Sequence, residues 1–420
     1  MLNKIIIFIV IILVIALGVL GFIYFTREGG VGDTTVGGIN LRDYFPFGQG
    51  SNNIDQPITE PTTATQDITT QPTIPTTLRQ VYAFPVSGAG VFKKGSTTII
   101  SFIEKSTGNI YEAETETTLV NRISNTTIPK IAEATFLKKD SVLLRYLKDD
   151  SDLIETIYGT LSTSTASTNG TSTPDSNLAE VQSTYLPLNM MAVAVPDKKD
   201  QIFYLTKAGT GSVGAISNPD GTKKTTVFES PINEWVVQWP KSDTLTLTTK
   251  ASAQSFGYLY FTNTTTGKMQ RILGGIQGLT TLTNKTASTT LFNKINADGS
   301  VSFSFYNIKE GISAPVPSNP TFTEKCVWSK KTTGTVYCAI PSKIPSGEYP
   351  DSWYKGLISF SDSLWKIDLS KGTSEKLSDI KEASGKDVDA INLTLDDAEN
   401  FLLFTNKTDL TLWSLDLLSL

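Results

Sequence analysis

Three stretches of this sequence repeat one another. Ala192-Val193-Ala194-Val195 is followed by the turn PDKKD and then QIFYLTK. Residues 235–239 (WVVQW) are followed by PKSD, TLTLTTK and GYLYFTNTTTG, and residues 390–395 (AINLTL) by DDAE, NFLLFTNKTD and LTLWSLDL. Each unit reads as strand, short polar turn, strand, hairpin and third strand, with a fourth such as KTTVFES or MQRILGG behind it. Short runs of Val, Ile, Leu, Tyr, Phe and Thr alternate with turn residues through the whole region, which is the pattern of an all-β chain. No amphipathic helix stands out. First strands are expected near residues 89, 130, 190, 234, 278, 324 and 388, and four of the six intervals are 41–46 residues. The two long intervals carry insertions, a Ser/Thr-rich one at 160–176 and an aromatic one at 343–361. A fixed period of roughly 40–45 residues with four strands per unit is what a β-propeller requires, because each blade buries its faces only against its neighbours.

Seven units predict seven blades over residues 79–420, and a count of six or eight stays open because the first and fifth units are degenerate. The last unit stops at its third strand, LTLWSLDL, while the region opens with LRQVYAFPVSG, which has the form of an outer strand. The two ends can complete one blade between them, and such closure removes a free sheet edge.

Ahead of the repeats, Ile5 to Phe25 is an uncharged apolar run. At 1.5 Å per residue a helix of this length spans roughly 30 Å, the thickness of bilayer hydrocarbon. Residues 1–4 then form a short cytoplasmic head and 5–26 a transmembrane signal anchor whose partner is the lipid bilayer. A cleavable signal peptide is the rival reading, but its apolar core is shorter. Lys4 before the run and Arg27 and Arg42 after it nearly balance, so charge alone does not orient the segment. Residues 27–78 are rich in Gly, Thr and Pro and poor in large apolar residues, a composition expected to remain a flexible tether. Within it, Tyr44-Phe45-Pro46-Phe47 is the one apolar patch. This layout favours a single-pass, cell-membrane protein of bacterial type with its propeller outside the cytoplasm.

Composition removes several kinds of chemistry. The chain has no histidine, which excludes His-based triads and His-ligated zinc or haem. Its net charge of −5 gives no general means of neutralising a run of phosphates, so no nucleic-acid partner is expected. Two cysteines cannot build a four-thiolate site. There is no phosphate-binding loop, dinucleotide fingerprint or nucleophile elbow, and no cofactor or metal is expected. The carboxylates of residues 149–152, 218–222, 296–300 and 396–397 fall in hairpin turns, where Asp bonds to nearby backbone.

The segment LTLDDAENFLLFTNKTDLTLWSLDL resembles the repeat of TolB-like and WD40-like bacterial propellers, with an Asp-centred turn between the first two strands and an L-W-x-x-D-L third strand. The S-P-D-G turn of that family occurs only as VPDKKD, WPKSD and LDDAE, and the G-H and W-D dipeptides are missing. The resemblance covers about residues 79–420. It implies the fold, and with it a platform for protein binding, although related propellers also cap hydrolases.

Two features are candidate sites. Cys326 and Cys338 lie in KCVWSKKTTGTVYC, two adjacent strands around a turn, where they are either disulfide-bonded or two buried thiols. A catalytic thiol is excluded by the lack of a histidine to activate it. The insertion holds Tyr349, Trp353, Tyr354 and Phe360 among Pro, Gly and charges. Those aromatics are either a recognition surface or a plug that folds onto the propeller. The expected function is a non-catalytic protein-binding or assembly platform in the cell envelope, with an envelope protein or a glycan as partner. The alternatives are a glycan-binding lectin, marked by exposed aromatics repeated in several blades, and a hydrolase or lyase using carboxylates near the central channel.

Overall fold

The computed structural model describes residues 35–36, 39–40, 76–148, 151–162 and 178–420. The chain divides into two units, residues 1–43 and 44–420. Of the first, a short antiparallel pair is described, Thr35–Val36 with Ile39–Asn40, inside the stretch expected to lack strands. The apolar run Ile5 to Phe25 and most of the tether lie outside the described residues. Among the described residues no helix is long and apolar enough to cross a membrane.

The second unit is a seven-bladed β-propeller, each blade a four-stranded antiparallel sheet. The first strands are Val86–Lys94, Glu133–Lys138, Met190–Ala194, Trp235–Lys241, Thr280–Thr283, Cys326–Trp328 and Ala390–Leu395. Each lies within a few residues of the position read from the repeat. Burial varies with rank in the blade. The second strand is enclosed by both flanking blades, so it reads as a continuous apolar run rather than an alternating one. Thr335–Pro341 is buried throughout and Thr97–Glu104 at all but its two ends. Fourth strands face outward, as in Val120–Arg122, whose three residues are all exposed.

Ring closure takes the expected form. Leu78–Tyr82 is the fourth strand of blade 7, antiparallel to Leu412–Asp416, with Leu78 opposite Leu415 and Tyr82 opposite Leu412. The Arg79 guanidinium then donates to the carbonyls of Thr117 and Glu114 at 2.5 and 2.6 Å, which ties this strand to blade 1. Blades 6 and 7 are joined at their first turns, where Lys330 pairs with Asp397 and the Ser329 hydroxyl donates to Glu399. The turn carboxylates that are described do local work. Asp396 accepts from the amides of Asn400 and Phe401, Asp220 from Thr222, and Asp298 from Ser300.

The two insertions occupy different positions. One joins the third strand of blade 2, Ile154–Ser162, to its fourth, Glu180–Tyr185; its residues 163–177 lie outside those described. The other joins the second strand of blade 6, Thr335–Pro341, to its third, Asp362–Asp368. All second strands of a propeller run in one direction, so this second insertion emerges on the face that carries every other second-to-third connection. Among the described residues two short α-helices also occur, Asp351–Tyr354 and Ile380–Ser384, besides the 3-10 turn Thr323–Lys325. Ile380–Ser384 is capped by the Asp379 carboxylate, which accepts from the Glu382 amide, and stops at Gly385 with φ of 72°. At four and five residues the α-helices are too short to leave a helical period in the sequence.

Candidate functional site

The aromatic insertion is a strap, and its Tyr349, Trp353 and Phe360 side chains face inward. Trp353 has no exposed surface, and Tyr349 and Phe360 are buried with Phe322, Val301 and Ile391. Phe322, from the connection between blades 5 and 6, is the centre of the stack. Its ring lies 4.9 Å from that of Trp353 and 5.7 Å from that of Phe360. Burial takes Tyr349, Trp353 and Phe360 out of the set of contact residues, because a side chain without exposed surface has nothing to offer a partner. They act as the plug. Tyr354 is half-buried, and its hydroxyl donates to the Glu324 carboxylate.

Beneath the aromatics lies a buried ionic cluster that the sequence reading missed. Lys325 Nζ lies 2.7 Å from Asp362 Oδ2 and 2.5 Å from Asp389 Oδ1, all three side chains fully enclosed. Asp389 Oδ2 in turn accepts from Trp353 Nε1 at 2.9 Å, from the Phe360 amide at 3.2 Å and from Ser359 Oγ at 3.3 Å. Asp362 Oδ2 accepts from the Ala390 amide at 2.6 Å. The Lys325 ammonium also sits 5.3 Å from the ring centres of both Trp353 and Phe360, within reach of a cation–π attraction. Lys407 approaches the Trp353 ring at 5.7 Å.

Position was the only sequence signal for this cluster. Lys325 precedes Cys326, Asp362 opens the third strand of blade 6 and Asp389 precedes the first strand of blade 7. Nothing in the spacing of 325, 362 and 389 brings them together. The fold does so, by stacking blade 7 on blade 6.

The electrostatics follow from enclosure. Burial alone would lower the Lys325 pKa, but the two facing carboxylates outweigh it and hold Lys325 above its ordinary value. Burial raises Asp362, with Lys325 opposing and Asp389 reinforcing the rise. Asp362 Oδ1 has no hydrogen-bond partner, which adds to the cost of ionising that carboxyl. Burial also raises Glu324, against the bonds it receives from Tyr354 and Thr323.

The strap is pinned across several blades. Asp351 Oδ2 accepts from the Ala253 amide at 2.6 Å and Glu348 from Gln254 at 3.2 Å, both in the second-to-third connection of blade 4. Ser359 bonds Thr408 at 3.0 Å in the corresponding connection of blade 7. Outward it presents Lys355, Gly356 and Leu357, and Leu357 is 75% exposed.

Cys326 and Cys338 are joined in a disulfide between directly opposed positions of the first two strands of blade 6. The bond lies one residue from Lys325 and stiffens the strand on which the cluster is built. Of the residues in the seven first strands only Glu133 is a carboxylate, and it is engaged by Arg145, which also donates to the carbonyls of Met190 and Met191. Among the described residues no group of three or more His, Cys, Asp or Glu side chains is placed to hold a metal.

No family model matches the sequence, and no curated protein matches it either. Solved structures do. The β-propeller domain of the trilobed protease from Pyrococcus furiosus, which has an open velcro topology, is 11% identical and superposes with a TM-score of 0.50 over 80% of this chain and 96% of its own. Oligogalacturonate lyase in complex with manganese is 8% identical, with a TM-score of 0.49 over 79% of this chain and 96% of its own. TolB from Acinetobacter baumannii is 9% identical, with a TM-score of 0.41 over 78% of each chain. At such identities likeness speaks to fold alone. The Pyrococcus domain supports the propeller fold.

Proposed function

We propose that this chain is a membrane-anchored, extracytoplasmic propeller that serves as a non-catalytic protein-binding platform in the cell envelope, with the strap-bearing face as its contact face. One observation carries the reading. The strap is held from within by the Lys325, Asp362 and Asp389 cluster and by buried aromatics, while Lys355 and Leu357 are left in solvent. A rigid loop with an exposed apolar tip loses little entropy when a partner covers it. The anchor and the extracytoplasmic placement rest on the apolar run Ile5 to Phe25 and the tether behind it. A reaction using carboxylates at the central channel receives no support from first strands that carry Glu133 alone.

The test is a cross-linking pull-down from native membranes with the full chain as bait, compared with Leu357→Asp. Leu357 makes no core contact, so the variant should fold normally. One dominant envelope protein, recovered with the wild type and lost with the variant, supports the platform. A folded bait that recovers the same proteins whether or not Leu357 is changed removes the strap from the contact.

A further inference from the structure

Packing alone does not require the ionic cluster beneath the strap. Lys325 Nζ lies 2.5 Å from Asp389 Oδ1 and 2.7 Å from Asp362 Oδ2, and none of the three side chains has exposed surface. Enclosing such ions is costly, and an apolar trio of similar volume would pack as well or better. Phe322, Trp353 and Phe360 stack together over the cluster, with the Trp353 and Phe360 rings each centred 5.3 Å from Nζ. Water is therefore kept from the amine and from both carboxyls.

The hydrogen bonds around Asp389 divide the labour between its two oxygens. Oδ1 faces the Lys325 amine. Oδ2 accepts from Trp353 Nε1 at 2.9 Å, from the Phe360 amide at 3.2 Å and from Ser359 Oγ at 3.3 Å. Three donors on one oxygen draw electron density from Cγ and are placed to hold the negative charge of a tetrahedral adduct. Asp362 Oδ2 touches the same Nζ, and its Oδ1 has no hydrogen-bond partner. Burial pushes the Asp362 carboxyl up to about 6, so it exchanges a proton near neutral pH. We infer that Lys325 and Asp389 condense into an isopeptide bond between Nζ and Cγ, with Asp362 as the proton shuttle.

The step balances without a co-reactant. The Lys325 ammonium gives one proton to Asp389 Oδ1, which replaces an ion pair by an amine and a carboxylic acid, an exchange that burial favours. The amine lone pair forms the Nζ–Cγ bond, and Oδ2 carries the negative charge under its three donors. Asp362 takes a second proton from Nζ and delivers it to the hydroxyl at Oδ1. The Cγ–Oδ1 bond breaks, Oδ1 leaves as water, and Oδ2 becomes the amide carbonyl. One ammonium and one carboxylate thus become one amide and one water, with no net gain or loss of protons. Asp362 ends as it began and keeps its own titration. The facing carboxylates hold resting Lys325 as an ammonium, but a reaction that occurs once per molecule tolerates a small amine population, and fixed contact supplies the high effective concentration. The bond joins residues 64 apart and ties the entry of blade 6 to the entry of blade 7. The inference goes beyond the platform reading and does not rest on it, because it needs neither the exposed tip of the strap nor a partner.

Mass spectrometry of the purified full chain in detergent, with the disulfide reduced, tests it. The wild type should be lighter than its sequence by one water. Trypsin does not cut after an acylated lysine, so digestion should release a branched peptide joining residues 310–330 to residues 387–407. This reading needs no variant to fold. Asp362→Asn, which keeps the size of the side chain and loses the shuttle, should retain the full sequence mass, with folding checked by circular dichroism. Leu357→Asp should lose the water as the wild type does, so failure here is distinguishable from failure of the platform. The inference is overturned if the wild type carries the full mass, or if the missing water maps elsewhere, as to a succinimide at Asp220-Gly221 or Asp298-Gly299. It is overturned equally if folded Asp362→Asn forms the branched peptide as completely as the wild type.

Discussion

Asp362 is a buried carboxyl beside the strap whose stability contribution should depend on pH. Its folded pKa is raised from 3.8 to about 6, first by burial and then by Asp389, against the pull of Lys325. The groups facing it are Lys325 and Asp389, with Lys407 on the far side of Trp353. A raised carboxyl means that the folded protein holds a proton which the unfolded chain has released. Its contribution to stability is therefore full below about pH 4, declines as pH rises towards 6, and is lost above that. Asp362→Asn mimics the protonated carboxyl and should remove this decline. Melting temperatures across pH 4–7.5 check the sign, read as wild type minus variant so that other carboxylates cancel. A difference that grows in favour of the wild type as pH rises would show that Lys325 dominates and that Asp362 is a net stabiliser when charged.

At the level of elements, blade 6 is reinforced twice, by the disulfide and by the strap. The bond joins residues 12 apart in sequence. Closing so small a loop restricts the unfolded chain by about 2–3 kcal/mol. Cys326→Ala with Cys338→Ala should lower stability by about that amount, somewhat more where the lost sulfur leaves space in the core. Denaturant titration with and without reductant checks this: reductant should move the wild-type midpoint and leave the variant's in place. Legibility at this scale was uneven. The strands of blade 6 were readable because their apolar runs and the KKTTG turn are local. The adjacency of the cysteines followed from the same turn, but whether they bond did not. The inward direction of Trp353 was not readable at all. The same Pro, Gly and aromatic mixture suits a recognition loop or a plug, and the choice depends on Phe322 and Asp389, residues from two other connections.

For the whole molecule, closure by Leu78–Tyr82 controls solubility as well as stability. Removing residues 1–82 would leave one backbone edge of Leu412–Asp416 unpaired and take Leu78 out of the apolar cluster it shares with Trp413 and Leu415. Such an edge invites pairing with another chain. A chain starting at residue 83 should associate or aggregate where one starting at residue 76 stays dispersed. Size-exclusion chromatography with light scattering separates the two, and equal dispersion of both would mean that blade 7 holds without its outer strand.

The propeller was legible in the sequence, with seven as the expected blade count and six or eight left open until the strands were placed. The positions of first strands, the insertions and the pairing of the two chain ends follow from a period of strands and turns, because each blade's pattern is written within about 45 residues apart from its insertions. The sites were decided by tertiary structure. Lys325, Asp362 and Asp389 are residue types common on any surface. They acquire a role only when neighbouring strands and blades exclude water from some of their atoms and leave others exposed. That partition depends on contacts between residues tens of positions apart, for which a linear pattern carries no period.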